Sequence, residues 1–426
     1  MRIEGKTIIE LHDAETGRLV KRTEDKNMLT NALTYMYRQG GVTNPSILLA
    51  SNIRSNPLLY MLGGLMCLDT ALTEDATVVR VPKGVKMVAN GARGVLNNGS
   101  PTEMGSWNDS ESGWMNDGSY KMVYDWSTSQ GNGTIACVCL SSYYGGYCGI
   151  GNFSGGYKSG NTALSNYNGY YSKGVSNLLG IKNNKAYQVV GIRNVTEWTI
   201  KEYAYGMSET DVRDNYSLRE VDSYTVQIPQ SIQNLDSVYI DGGYRPYAFC
   251  GSYQQGDIST IFLAGTYDAN MFLTGYVVKY NLATKQIVDV ITVSADADLP
   301  QRNYGSAWGI SDKWLLWTGV AVDLTNTTNK ITLGGSTTMN GRAWAIDSDL
   351  FQGTNQIIDM DFEEINPCNA NGNIGNMGYK LNELLVFDGS QIVRDPRYIA
   401  TINNLEEPVT KDASKTMKVT YVIRFS

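Results

Sequence analysis

Short runs of β-branched and aromatic residues, separated by Gly-, Asn- and Asp-containing turns, dominate the chain from about residue 75 onward and predict a mainly β protein. The first 75 residues read differently. Thr7 to Leu11 and Leu19 to Arg22 have strand character, and Asp13-Ala-Glu-Thr-Gly17 between them is a hairpin turn ending in Gly. Asn27 is a candidate N-cap for a helix running to about Arg38, because Met28, Leu29, Ala32, Leu33 and Met36 follow helical spacing. A second short helix is expected over Pro57 to Leu65. Residues 1–75 are therefore read as a small α+β unit.

In the β region, Thr77 to Val81 and Val85 to Val88 are short strands. Tyr120 to Trp126 and Thr134 to Leu140 are read as a strand pair joined by a turn at Ser127 to Gly133. A four-strand unit runs Tyr247 to Tyr253, Thr260 to Leu263, Gly275 to Tyr280 and Gln286 to Val293, with Asn281 to Lys285 as a polar turn. A weak internal repeat relates Gly309-Ile-Ser-Asp-Lys-Trp-Leu-Leu-Trp to Gly378-Tyr-Lys-Leu-Asn-Glu-Leu-Leu-Val. Units of four short strands every 40–50 residues or so are the signature of propeller blades. Residues 76–400 are thus read as a β-propeller-like domain of about five to seven degenerate blades, with a β-sandwich carrying long loops as the alternative. Residues 401–426 form a linker and a final strand, Thr416 to Phe425. Trp314 and Trp317, three apart in one strand, are expected to pack on opposite faces of it.

Residues 143–174 are the compositional outlier, rich in Gly, Asn, Ser and Tyr and too long for an ordinary connection. Seven tyrosines fall here: Tyr143, Tyr144, Tyr147, Tyr157, Tyr167, Tyr170 and Tyr171. One reading is a surface loop packed between subunits. Another is a contact surface, in which Tyr supplies rigid amphipathic area and Ser, Gly and Asn adapt. A third is disorder. The seven tyrosines are the candidate binding residues.

Composition narrows the function. Charged residues make up 18% of the 426, against about 25% in an average soluble domain, so the surface relies on Asn, Ser, Thr, Gly and Tyr. The formal net charge is −7 and there is no basic tract, which argues against nucleic acid as a partner. The six cysteines are scattered without a C-x-x-C pair and are read as reduced, mostly buried thiols. Cys137 and Cys139 point to one strand face. No signal peptide or membrane span is expected.

His12 is the single histidine. It sits beside a hairpin turn, where a nucleophile system has no obvious partners for it, and histidine-based zinc sites are excluded. No phosphate-binding glycine motif occurs, and no cofactor is expected. Carboxylates cluster at Asp109, Glu111 and Asp117, at Asp296 and Asp298, and at Asp359, Asp361, Glu363 and Glu364. Paired carboxylates can hydrolyse glycosides when their separation is right. No calcium-loop spacing is met, and no metal is expected.

The opening Ile8-Ile-Glu-Leu-His-Asp-Ala-Glu-Thr-Gly17 through Glu24-Asp-Lys-Asn-Met-Leu-Thr-Asn-Ala-Leu33 resembles the N-termini of phage virion proteins from gut and Gram-positive hosts. Tyr124-Asp-Trp126 followed by Asn132-Gly-Thr-Ile135 resembles them too. Ala400-Thr-Ile-Asn-Asn-Leu405, Pro408-Val-Thr-Lys411 and Thr416-Met-Lys-Val-Thr-Tyr421 resemble the endings of tail fibre and baseplate proteins. The resemblance implies a tail-associated structural protein of the virion, assembled in the host cytoplasm, and carries over no catalytic residues. Its expected partners are other virion proteins and copies of itself, with a host-surface glycan as candidate receptor. A polysaccharide-degrading tail enzyme and an architectural collar or capsid-decorating protein are the alternatives.

Overall fold

The first and last strands of the chain are hydrogen-bonded to each other. A computed structural model describes residues 3–37, 62–97, 102–141, 163–165, 178–183, 185–190, 197–205, 218–233, 248–267, 273–294, 308–317, 319–335, 339, 343–353, 356–361, 363–367, 377–380, 384–387, 392–394 and 397–425. The N-terminal part contributes β1 (Ile3–Asp13), β2 (Leu19–Lys26), β3 (Met28–Leu29), helix α1 (Ala32–Tyr37), β4 (Gly64–Leu68), β5 (Met87–Ala92), β6 (Ser106–Trp107), β7 (Gly113–Trp114), β8 (Tyr120–Trp126) and β9 (Gly133–Ser141). Then come β10 (Ala163–Ser165), β11 to β14 (Leu178–Lys182, Lys185–Val190, Glu197–Tyr205, Leu218–Gln227) and β15 to β18 (Ala248–Gln255, Ile258–Tyr267, Leu273–Asn281, Gln286–Ser294). β19 to β22 (Trp308–Ile310, Trp314–Trp317, Val320–Asp323, Lys330–Thr332) are followed by β23 (Gly334–Gly335) and β24 to β27 (Ala343–Ala345, Leu350–Gly353, Gln356–Asp359, Glu364–Pro367). The chain closes with β28 to β30 (Met377–Lys380, Leu385–Phe387, Ile392–Arg394), β31 (Thr401–Lys411) and β32 (Lys415–Phe425).

The described chain is mainly β, in several separate sheets that are predominantly antiparallel. Two of these sheets are built from both ends of the sequence. One has the order β2-β1-β32-β8-β6, with β7 also on β8; the other has the order β3-β31-β9-β4-β5. Their facing sides share one core. Met417, Val419, Tyr421 and Ile423 of β32 are buried there with Met122, Tyr124 and Trp126 of β8 and Val138 and Leu140 of β9. The intervening Lys418, Thr420 and Val422 are only half-buried, the period-two pattern of a strand with one face covered. β9 is buried along both faces because a second core, with Leu72, Val81, Val85 and Ile399, covers the outside of its sheet. A strand covered on both sides reads as a continuous apolar run.

Several expectations change here. Tyr120–Trp126 and Gly133–Ser141 are strands, but they do not pair with each other: β8 pairs with β32, and β9 with β31 and β4. The turn at 127–132 instead carries the chain from one sheet to the other, and the β31–β32 connection does the same. Helix α1 begins at Ala32 rather than after Asn27, because Met28 and Leu29 pair with Ile402 and Thr401. Its N-terminal hydroxyl is that of Thr30, which accepts the Ala32 N–H at 3.2 Å, as a capping side chain does.

Gly64 and Leu65, placed in a second helix by sequence, belong to β4; residues 57–61 lie outside the described set. Thr77 to Val81 is no strand, although Arg80 makes a single bridge to Tyr398. The strand expected at Val85 to Val88 runs from Met87 to Ala92. The three expected units, 1–75, 76–400 and 401–426, share these two sheets, and the final strand completes the sheet of its own chain.

Among the described residues, the segment between β9 and β31 carries five successive units with four antiparallel strands each; β23 extends the fourth in parallel with β27, and the second and fifth join edge to edge as one eight-stranded sheet. β11-β12-β13-β14, β15-β16-β17-β18, β19-β20-β21-β22 and β24-β25-β26-β27 are antiparallel meanders. The fifth is β28-β29-β30, whose outer strand is β10 from the beginning of the segment. The expected unit at 247–293 is the second meander, and Asn281 closes its last turn by accepting the N–H groups of Ala283 and Thr284 at 2.8 and 3.0 Å. Both copies of the weak repeat form the opening hairpin of a unit, β19–β20 and β28–β29.

The first four units pack face on face. Ile261 and Val278 of the second join Tyr187 and Trp198 of the first. Phe262 and Val277 join Trp308 and Trp317 of the third. Trp314 and Leu316 of the third join Ala343, Phe351 and Ile358 of the fourth. Trp314 and Trp317 thus lie in cores on opposite faces, as their spacing predicts. The opening strands β11, β15, β19, β24 and β28 neighbour one another in that cyclic order, β28 touching β11 again. β28 also pairs in parallel with β15.

Candidate functional site

The seven tyrosines proposed as binding residues lie outside the described residues. What is described of that region is β10, where Ala163 pairs with Val393 and Ser165 with Ile392. Three residues of the Tyr-rich segment are therefore the outer strand of the fifth unit. Tyr143, Tyr144, Tyr147 and Tyr157 precede this strand in sequence, and Tyr167, Tyr170 and Tyr171 follow it.

The joint between the terminal sandwich and the inserted units is built from charges. Asp347, at the turn between β24 and β25, is buried and receives Arg80 (Nη1 to Oδ2, 2.5 Å) and the buried Arg397 guanidinium. Its other oxygen accepts the backbone N–H groups of Asp349 and Leu350, both at 2.8 Å. Arg397 also lies 3.6 Å from Asp361. Burial alone would raise the Asp347 carboxyl, but Arg397 and Arg80 outweigh it and hold the group below its ordinary value. For Asp361 burial wins, aided by Asp349 and Asp347, and its carboxyl is raised. Both arginines come from segments flanking the sandwich, while Asp347, Asp349 and Asp361 come from the fourth unit. Arg80 lies 267 residues and Arg397 50 residues from Asp347 in sequence, and the sequence gives no sign of their meeting. The local signal was confined to Asp347-Ser-Asp349, a turn-forming pattern between short apolar strands.

The carboxylates singled out by sequence are dispersed and mostly committed to structure. Asp109 accepts the Trp107 indole N–H at 3.2 Å, Glu111 pairs with Lys418 and Lys121, and Asp117 pairs with Arg424. Asp296 and Asp298 lie outside the described residues. Asp359 is buried and accepts the Asp361 N–H at 3.0 Å. No group of three or more metal-ligating side chains occurs among the described residues, and none of their helices is long and apolar enough to cross a membrane. Cys67, Cys137 and Cys139 are free and buried, with the last two sulfurs 3.6 Å apart on one face of β9.

One buried cation was not anticipated. Lys411, 1% exposed, ends β31 beneath the turn at 127–132. Its Nζ donates to Asn132 Oδ1 at 2.7 Å and to the Thr128 carbonyl at 3.3 Å. Burial lowers this ammonium from the ordinary 10.5 to about 8. A cation depressed by folding costs stability while both states are protonated, and the cost fades as pH rises from the folded to the unfolded value. Lys411→Met is expected to be more stable than the natural chain at pH 7. That gain shrinks between pH 8 and 10 or so, a window that follows from the linkage relation. Paired denaturant titrations across that range check the trend, and a gain that is flat or grows with pH contradicts it.

No protein-family model matches this chain, and no curated protein matches it.

Proposed function

We propose that this chain is a structural component of a phage virion, a tail fibre, appendage or baseplate protein. The sandwich formed by both chain ends docks it to its neighbours, and the inserted segment is a five-bladed β-propeller displayed from it. The observation that carries the reading is topological. The insert leaves from β9 and returns to β31, adjacent strands of one sheet paired through Asn403 and Val138. A domain whose entry and exit lie side by side stands out from its host module without disturbing it. The propeller assignment rests on five units with four antiparallel strands each, the first four packed face on face, and on opening strands that neighbour one another in a cycle. The strand β10, from the start of the insert, completes the last unit, and this clasp ties the two ends of a propeller together.

In this reading the chain is not an enzyme. Its partners are other virion proteins and copies of itself, and the tyrosines on either side of β10 contact a host-surface glycan. Weak binding per copy suffices where many copies act together. Particles carrying Tyr144→Ala with Tyr147→Ala are expected to assemble normally and to lose adsorption to the host. Failure of assembly would make the segment a subunit interface, and unimpaired adsorption would remove it from recognition altogether.

A further inference from the structure

The outer face of the first sandwich sheet carries a groove. Its volume is about 610 Å³, and its lining includes His12, Asn97, Ser106, Asp125, Ser129 and Lys418. That volume lies within the range of about 300–1,000 Å³ usual for small-molecule sites. The floor is ordered by register. His12 of β1 stands opposite Thr416 of β32, Lys418 opposite Asp125 of β8, and Asp125 opposite Ser106 of β6.

One wall is the 127–130 turn, held rigid from within. Gln130 Oε1 accepts the Ser127 N–H and hydroxyl, both at 3.0 Å, and Lys411 grips the turn from below. On the other side, β1, which carries His12, continues into a hairpin tied to the β31–β32 turn by the Ala14 N–H to Ser414 carbonyl bond at 2.9 Å. The site is therefore formed before any ligand arrives, which lowers the cost of binding.

We propose that this groove binds a neutral oligosaccharide segment of about two sugar rings, the size suited to a pocket of this class. Its lining mixes hydroxyl and amide groups with the apolar surface of Trp126 and Met417, which suits the hydroxyl edges and C–H faces of a sugar. Its charges are already engaged. Lys418 is paired with Glu111, and Asp125 Oδ2 accepts Asn108 Nδ2 at 2.7 Å while the carboxylate keeps further acceptor capacity. An ionic ligand would have to displace those partners, whereas a sugar hydroxyl adds to them. The proposal is independent of the virion reading, since it concerns the isolated chain.

His12, the single histidine, is a built-in reporter. With histidine-labelled full-length protein, the imidazole resonances are followed by NMR while maltose, cellobiose, lactose or N,N′-diacetylchitobiose is added to about 20 mM, well above the millimolar affinity expected of such a site. At least one disaccharide should move them saturably. Asp125→Ala and Ser129→Trp, the latter at an exposed turn position, should each weaken the effect tenfold or more while the remaining spectrum stays folded. No movement with any of the four, or movement retained in both variants, overturns the proposal.

Discussion

Deleting residues 416–426 is expected to abolish folding of the terminal sandwich. β32 lies between two partners, matching β1 from Ile3↔Phe425 to Asp13↔Lys415 and β8 from Ile423↔Tyr120 to Met417↔Trp126. It buries Met417, Val419, Tyr421 and Ile423, each at most 1% exposed. At roughly 1.5–3 kcal/mol per fully buried apolar side chain, these four contribute on the order of 6–12 kcal/mol. That rivals the whole stability of a typical domain, about 5–15 kcal/mol. The truncated chain should be insoluble or lack a cooperative transition.

The point variant Tyr421→Ala gives a measurable intermediate. It removes the ring from the core and the hydroxyl that donates to Thr401 at 3.0 Å, and should cost about 3–5 kcal/mol. Denaturant unfolding followed by circular dichroism reads both. A truncated chain with an unchanged midpoint would show that the two chain ends do not depend on each other.

The second large effect lies at the joint between modules. Arg397→Ala leaves Asp347 buried with Arg80 as its remaining cationic partner in this cluster. Breaking a buried pair by removing one member costs about 3–5 kcal/mol, since the other charge stays desolvated. The pH dependence distinguishes this cause from simple loss of packing. In the natural chain Asp347 is held below its ordinary value, so its contribution is present above the unfolded carboxylate range and is lost as pH falls through the folded value. Without Arg397 the Asp347 carboxyl is free to rise and neutralise. The penalty of Arg397→Ala should therefore be largest near pH 7 and shrink towards pH 4, close to the ordinary aspartate value of about 3.9. A penalty constant across that range would assign the loss to the missing side-chain volume.

Local pattern revealed the individual strands better than their partners. The turns at 13–17 and 281–285 and the four strands of the second meander were legible because each is closed by neighbours in sequence. The 120–126 and 134–140 segments were legible as strands but not as members of different sheets, because their partners lie nearly three hundred residues away at β31 and β32. Met28 and Leu29 show the same effect at small scale. Their spacing suits a helix, and pairing with Ile402 and Thr401 overrides it.

At the candidate site, the opposite faces of Trp314 and Trp317 followed from period alone. The Asp347 cluster, the Lys411 support and the groove did not, since each gathers residues from strands distant in sequence. The sequence offered two architectures as alternatives, a propeller and a sandwich. The described strands contain a sandwich assembled from the chain ends and, between two of its neighbouring strands, the succession of four-stranded units that we read as a propeller.

The central claim is that the sandwich docks the chain into a particle and the insert faces outward. Electron microscopy of intact particles labelled with an antibody against residues 143–174 tests it most directly. Label at the distal tip of the tail is the predicted result. Label at the collar or head, or no label on intact particles despite reaction with the free protein, would contradict it.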